Sequence, residues 1–269
     1  MLCATDLSVA FGAQHVLTHV SINIPVGAIV GILGPNGSGK TTLLRILDGT
    51  LTPDQGHVTL DGHNQRSFDR RAIARRVAVV PQDTHLAFDY TVLEVVLMGR
   101  YPHLRAFEVE GPADLAAARD ALKATGTLEL AHRAYQTLSG GEKQRVIIAA
   151  ALAQLDQRTM ADAGSALLLL DEPTASLDLR YQVEVAALIG RLHERAVNDG
   201  APLTVVLSTH DLHFASHICH TLVLLAEGKI VAQGAPGDVL TVETLSTVYG
   251  ISQELAAPVL ARIQMGPQR

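Results

Sequence analysis

Apolar and polar residues alternate over residues 2–11 and again over 16–24, which predicts two strands with Gly12 at the turn between them. The stretch 28–33 is apolar throughout and reads as a buried strand; beyond a glycine-rich loop, Leu43, Leu44 and Leu47 fall at helical spacing. A turn over 53–56 leads into a short strand that ends at Asp61-Gly62, and a charged helix and the apolar strand 77–80 follow. From Thr91 the period becomes helical: Val92, Val95 and Val96 share a face that Gly99 ends, and the polar Tyr101-Pro102-His103 comes next. An alanine-rich helix over 112–125 is closed by Gly126, and Ser139 with Glu142 forms a capping box for a helix through Val146, Ile147, Ala150 and Ala151. Residues 86–150 therefore read as all-helical, set between strands. The strand 166–170 is followed by an amphipathic helix over 180–198, with Val183, Ala186, Ala187 and Leu192 inward and Gly200 at its end. A strand over 203–207, a hairpin of 221–226 with 229–233 through Glu227-Gly228, and a helix near 242–249 complete the pattern; the tail carries no chemical motif.

The loop between the second apolar strand and its helix changes the picture most. Gly34, Pro35, Asn36, Gly37, Ser38, Gly39, Lys40 and Thr41 fit G-x-x-x-x-G-K-[ST] at every defined position, in the strand–loop–helix context that the motif requires. The glycines let successive N–H groups converge on an anion at a helix N-terminus, Lys40 adds a charge for the outer phosphates, and Thr41 offers a hydroxyl to a bridging Mg²⁺. The expected ligand is a nucleoside triphosphate.

Composition narrows the setting. A chain of 269 residues suits one large domain or a core with a small subdomain. Cys3 and Cys219 make neither a disulfide framework nor a metal spacing, which suits a reducing cytoplasm. No charged-then-apolar leader is present, and the longest apolar run, 146–153, is far short of the roughly 20 residues that span a bilayer. A net charge of −6 argues against nucleic-acid binding through phosphate contacts. The cluster Arg66, Arg70, Arg71, Arg75 and Arg76 reads as a solvated helix face, since no aromatic residues are interleaved for stacking.

Further candidate chemistry lies at strand tips. Asp171-Glu172 follows four leucines, at the carboxyl edge of a parallel sheet, where one carboxylate can hold Mg²⁺ through water and the other can take a proton from an attacking water. Asp178 follows closely enough to shape the same site. His210, at another strand tip, either caps the next helix or bonds a γ-phosphate. Gln82 either reaches a metal-bound or attacking water or serves as a loop amide, and Phe11 either stacks on an adenine ring or packs in the core. The paired glycines in Leu138-Ser139-Gly140-Gly141-Glu142 sit in a first helical turn, where glycine costs about 1 kcal/mol and is tolerated if something approaches the backbone. A phosphate would explain them, and because Gly34 to Thr41 already surrounds one phosphate chain, the second helix end predicts a dimer with shared sites. His213, His217 and His220 are spaced for one helix face, read here as polar surface because no partner stands at zinc spacing.

The ordered set GPNGSGKT, Gln82, LSGGE, LLLLDE, Ser176-Leu177-Asp178 and His210 resembles the ATP-binding subunits of ATP-binding-cassette transporters along nearly the whole chain. The resemblance implies an α/β fold: a RecA-like P-loop core with a β subdomain over 1–85, a helical subdomain over 86–150, the rest of the core over 151–235, and a C-terminal helix and tail over 236–269. It implies ATP and Mg²⁺ as ligands, with Thr42 beside Thr41 in the phosphate site, Thr41, Gln82 and Asp171 toward the metal, Gln82 also coupling the site to a membrane partner, Phe11 on adenine, Glu172 activating water and His210 on the γ-phosphate. Ser139, Gly140 and Gly141 then close on ATP held by the facing subunit of a homodimer, and Asp178 counts among the nucleotide-binding residues. Phe11 stands where the family more often has tyrosine, and Ala175-Ser176-Leu177-Asp178 where many members have Ser-Ala-Leu-Asp; neither change removes the expected contact.

Within the family, the stretch from Thr91 to His103 looks like bacterial importers of iron chelates and cobalamin, while the link 157–165 and Val248-Tyr249-Gly250 look most like haemin-import subunits. The implied partners are a two-subunit transmembrane permease at the cytoplasmic face of the inner membrane and, indirectly, a periplasmic binding protein. No residue reads the cargo chemically. Two other classes share the nucleotide motifs. Soluble cassette ATPases of cofactor assembly or translation are more often tandem, and nucleic-acid-associated cassettes carry long heptad insertions that this chain lacks.

Overall fold

The computed structural model describes residues 2–84, 86–155, 165–175 and 177–264; most of the 157–165 link and Ser176, both named above, lie outside them. In chain order the regular elements are β1 (Leu2–Phe11), β2 (Gln14–Ile24), β3 (Ile29–Leu33), α1 (Lys40–Leu47), β4 (Gln55–Leu60), β5 (His63–Asn64), α2 (Arg70–Ala74), β6 (Val77–Val80), α3 (Val92–Met98), α4 (Pro112–Ala124) and α5 (Gly140–Gln154). These are followed by β7 (Ala166–Asp171), α6 (Leu179–Asn198), β8 (Leu203–Thr209), α7 (Leu212–Ile218), β9 (Thr221–Ala226), β10 (Lys229–Gly234), α8 (Pro236–Val239), α9 (Val242–Tyr249) and α10 (Gln253–Gln264). Two compact units result, one from Met1–Arg66 with Val205–Arg269, the other from Ser67–Thr204.

The first unit pairs an antiparallel sheet, ordered β2-β1-β4-β5, with strands ordered β10-β9-β3-β8. Both hairpins with a two-residue turn at Asp61-Gly62 or Glu227-Gly228 have positive φ at both central residues (50° and 81°, 46° and 72°), the twist that suits tight hairpins. β3 lies parallel to both β8 and β9, with Leu33 opposite Thr209 and Leu224. A strand flanked on both edges and covered on both faces has no polar side, which accounts for its unbroken apolar sequence.

The second unit packs three helices around one core. Val92, Val95 and Val96 of α3 meet Ala118, Ala121 and Leu122 of α4 and Val146, Ala149 and Ala153 of α5, with Tyr135 and Leu138 filling the remaining space. β6 and β7 run parallel beside them in register, Val80 opposite Leu170. The carboxyl end of α5 is held by the segment after Gly99. Arg100 Nη1 donates to the Ala153 carbonyl at 2.6 Å and His103 Nε2 lies 2.8 Å from the Gln154 carbonyl. Gln154 Nε2 in turn donates to the carbonyls of Ala74 and Val77 at 2.6 and 3.0 Å. Arg100 is only 3% exposed and pairs with Asp114 at 2.9 Å.

Three expectations need correction, and one element goes beyond them. The inward face of α6 is Val185, Leu188, Ile189 and Leu192, while Val183 is 60% exposed and Ala187 faces out. Both sets have helical spacing, and the larger aliphatic side chains take the core because burial scales with apolar area. The arginine cluster is not wholly solvated: Arg70, Arg71 and Arg75 are exposed, but Arg76 is buried with its guanidinium carbon 5.5 Å from the Phe68 ring centroid. The tail forms a helix, α10, whose pattern Pro258 disguises because it removes the backbone donor in the second turn. His220 lies beyond the end of α7 and accepts the Ile29 N–H through Nδ1 at 3.0 Å, so it does not share a face with His213 and His217. Among the described residues, no helix is long and apolar enough to cross a membrane, and no three His, Cys, Asp or Glu side chains are grouped to hold a metal.

Candidate functional site

Each unit carries part of the expected site. In the first, β3 runs directly into the loop Gly34–Lys40 and α1. Gly34, Gly37 and Gly39 have φ of 154°, 79° and 104°. A Cβ at Gly34 would collide with the Leu225 carbonyl of β9, and one at Gly39 would lie 2.7 Å from Leu17 Cδ2 and 2.9 Å from the Val16 carbonyl. The loop is thus clamped between β2 and β9, and only glycine fits either contact.

Gly39 caps α1 without a side-chain bond, so the first-turn N–H groups are not closed off by a capping side chain, and no acidic residue stands in that turn. Lys40, 6% exposed, folds its ammonium over the loop, donating to the carbonyls of Gly34 at 3.0 Å and Pro35 at 3.1 Å. Ser38 Oγ is buried with no hydrogen-bond partner among the described residues, an orphaned donor beside the loop. Asn36, Gly37 and Thr41 are exposed, with Pro35 and Thr42 half-buried. These features make an anion cradle of the right chemistry for polyphosphate.

Leu33 and Thr209 are directly opposed on parallel strands, so Gly34 and His210 leave neighbouring strands at the same edge. Asp211, not His210, caps α7, its carboxylate accepting the Phe214 N–H at 2.9 Å; the capping reading of His210 is set aside. Phe11 ends β1 and is 54% exposed, which sets aside a place in the core.

In the second unit, Val80 and Leu170 are opposed, so Gln82 and the pair Asp171-Glu172 emerge from one sheet edge. Gln82 is exposed, and Thr91 rather than Gln82 caps α3. Asp171 is buried at the end of β7, whereas Glu172 sits at φ 45°, a left-handed conformation rarely taken by a side-chain-bearing residue. Such strain clusters where side-chain direction matters. Asp178 caps α6 by accepting the Tyr181 N–H at 3.1 Å.

The capping box at α5 is present. Ser139 Oγ accepts the Glu142 N–H at 3.4 Å, and the Ser139 N–H donates to the Glu142 carboxylate at 2.7 Å. The Ser139 N–H, and after it the Ser139 hydroxyl, hold the Glu142 carboxyl below its ordinary value. They leave the N–H groups of Gly140 and Gly141 outside the box. The close approach expected at the paired glycines is real, but at Gly141 it is made by this chain: a Cβ there would run into the Tyr181 ring. Gly140 is the exposed member, with Leu177 Cδ2 3.4 Å from its would-be Cβ. Tyr181 is the residue that sequence reasoning missed, since its neighbour across the fold is not its neighbour in sequence.

A strand-fed phosphate cradle, a carboxylate pair and a glutamine on one sheet edge, and a glycine-opened capping box together define a nucleotide-hydrolysing cassette. The chain belongs to the ABC transporter family: the family's profile matches residues 17–175. It is an ATP-binding ABC ATPase. A curated relative, the hemin import ATP-binding protein HmuV of Bordetella pertussis, is 43% identical over 260 residues, 96% of each chain. The ferric enterobactin transport ATP-binding protein FepC of Escherichia coli is 40% identical over 246 residues, 91% of this chain and 86% of that one. Among solved structures, a metal-chelate-type ABC transporter in an inward-facing conformation matches with a TM-score of 0.77 at 30% identity, covering 93% of this chain and 89% of that one. A dimeric bacterial ABC transporter cassette matches with a TM-score of 0.71 at 28% identity, covering 88% and 99%.

Proposed function

We propose that this ATPase powers a bacterial importer of haem, working as a homodimer beneath a two-subunit permease at the cytoplasmic face of the inner membrane and served by a periplasmic binding protein. The observation that carries the reading is the 43% identity, across 96% of both chains, to a hemin import ATP-binding protein. Ferric siderophore is the second cargo, favoured by the 40% identity to a ferric enterobactin transport protein.

In this reading Gly34 to Thr42 and Lys40 hold the phosphates of ATP and Phe11 stacks on its base. The hydroxyl of Thr41, the carboxylate of Asp171 and the amide of Gln82 are hard oxygen donors, a set that suits Mg²⁺ with phosphate and water completing the shell. Mg²⁺, when bound, neutralises charge that develops on the outer phosphates. Glu172, aimed by its left-handed backbone, takes the proton of the attacking water, and His210 donates to the γ-phosphate. Ser139, Gly140, Gly141 and Asp178 meet ATP on the facing subunit, so ATP favours a closed dimer and hydrolysis reopens it.

The deciding experiment measures ATPase rate with the candidate permease in liposomes, adding haem-loaded, ferric-siderophore-loaded or cobalamin-loaded binding protein. Stimulation by the haem-loaded protein alone supports the proposal, and stimulation by another keeps the importer and discards haem. Failure to associate with any permease returns the chain to the soluble cassette ATPases. Glu172→Gln is expected to bind ATP as the parent does and to lose nearly all turnover; normal hydrolysis would remove the assigned base.

A further inference from the structure

Two helices of the second unit are joined at their amino ends by contacts that the family motifs do not contain. Tyr181 stands in the first turn of α6, three residues after the Asp178 cap, and its ring lies against the first turn of α5 where Gly141 has no side chain. Its Cε1 would be 2.7 Å from a Cβ at Gly141, and Cγ and Cδ1 closer. A second tie follows one turn along. Glu184 accepts Arg145 Nη1 of α5 at 2.6 Å and Arg180 Nε of α6 at 3.0 Å, with Arg180 also 5.9 Å from the Tyr181 ring centroid. Leu177, just before the cap, faces Gly140. The ring therefore covers one side of the turn that carries the Gly140 and Gly141 N–H groups, leaving the Gly140 side exposed.

We infer that Tyr181 is a positioning residue for closure of the ATP-bound dimer, fixing the Ser139–Gly140 end of α5 and the Asp178 cap of α6 as one body. The inference rests on the proposed function, in which these two groups meet the nucleotide of the facing subunit. An N–H-bearing turn and a carboxylate on separate helices can meet one nucleotide only if their spacing is set beforehand, and small misplacements are costly in such sites. A flat ring against a glycine backbone sets that spacing with few rotatable bonds, while the exposed Gly140 remains open to a ligand.

The test uses the full chain carrying Glu172→Gln, so that bound ATP persists, and reads the ATP concentration that converts a 28.6 kDa monomer to a dimer by light scattering. Adding Tyr181→Ala is expected to raise that concentration about tenfold or more, the scale of lost preorganisation. Tyr181→Phe is expected to restore the parent value, since the ring remains. Binding of a fluorescent ATP analogue to the monomer should be unchanged, because the phosphate cradle is built from other elements. Equal dimerisation with and without Tyr181→Ala overturns the inference. So does a parallel loss of analogue binding, which would mark a general structural defect. If Tyr181→Ala does not fold, Tyr181→Leu fills the space without a ring and is read the same way. Failure of Glu172→Gln alone to dimerise with ATP overturns instead the closed-dimer reading beneath it.

Discussion

Gly34 cannot accept even a methyl group, because the Leu225 carbonyl occupies the place and its φ is 154°. Gly34→Ala is therefore expected to cost about 3 kcal/mol from backbone strain and overpacking together, and to abolish ATP binding. Urea unfolding and an ATP titration measure the two effects, and a stable variant that still binds ATP would refute the clamp. At Glu172 the sign reverses. Its φ of 45° is an unfavourable conformation that glycine takes freely, so Glu172→Gly is expected to match or exceed the parent in stability by up to about 1 kcal/mol while turnover is lost. Lower stability together with retained activity would contradict both the strain and the role. The chemistry-bearing types at these positions, Lys40, Thr41, Asp171 and Glu172, are legible in the sequence because their spacing is local. The partner of Gly141 is not, because the glycine announces a close approach without saying whether a phosphate or Tyr181 makes it.

Among the elements, α5 shows how both ends of one helix are set. Its amino end carries the capping box and the Tyr181 contact, and its carboxyl end is gripped by Arg100 and His103. The stretch from Thr91 to His103, which resembles iron-chelate importers, thus contributes to the fold of the second unit. Burial alone would raise the Asp114 carboxyl, but the Gly111 N–H and the Arg100 guanidinium outweigh it and hold it below 3.8. Removing it leaves a buried guanidinium without its carboxylate, so Asp114→Ala is expected to cost about 3–5 kcal/mol in urea unfolding at neutral pH. Because the native carboxyl is the stronger acid, its contribution is complete well above pH 3.8 and is lost as pH falls through the lower folded value. The stability gap between parent and variant should therefore stay flat through mildly acidic pH and narrow only below that point. A gap that narrows near neutrality would assign it to another group. Periodicity located α3, alanine content and a closing glycine located α4, and a capping box located α5; periodicity misphased α6, where Val183 and Val185 compete, and missed α10, where Pro258 interrupts the pattern.

At the scale of the molecule, the unit that holds the phosphate loop is assembled from both ends of the chain. β3 delivers the loop, but the residues of β8 and β9 that pair with it, from Val205 onward, follow the second unit in sequence. Gly31 packs on Cys219 and Leu222, and Gly34 on Leu225, all from the returning segment. The match to the family's profile ends at residue 175, before either strand, so the matched stretch lacks the strands that support the cradle. A chain ending at residue 204 keeps every residue from Gly34 to Thr42 and leaves β3 with both edges bare, its N–H and C=O groups unpaired and its apolar faces uncovered. Such a chain is expected to show no ATP-dependent stabilisation, whereas the full chain at a hundredfold excess of ATP over its dissociation constant should gain about 2.7 kcal/mol. Denaturant unfolding with and without ATP measures both. Saturable ATP stabilisation of the shortened chain would mean that the loop holds its shape without β8 and β9, and that the clamp described at Gly34 is not what shapes the site.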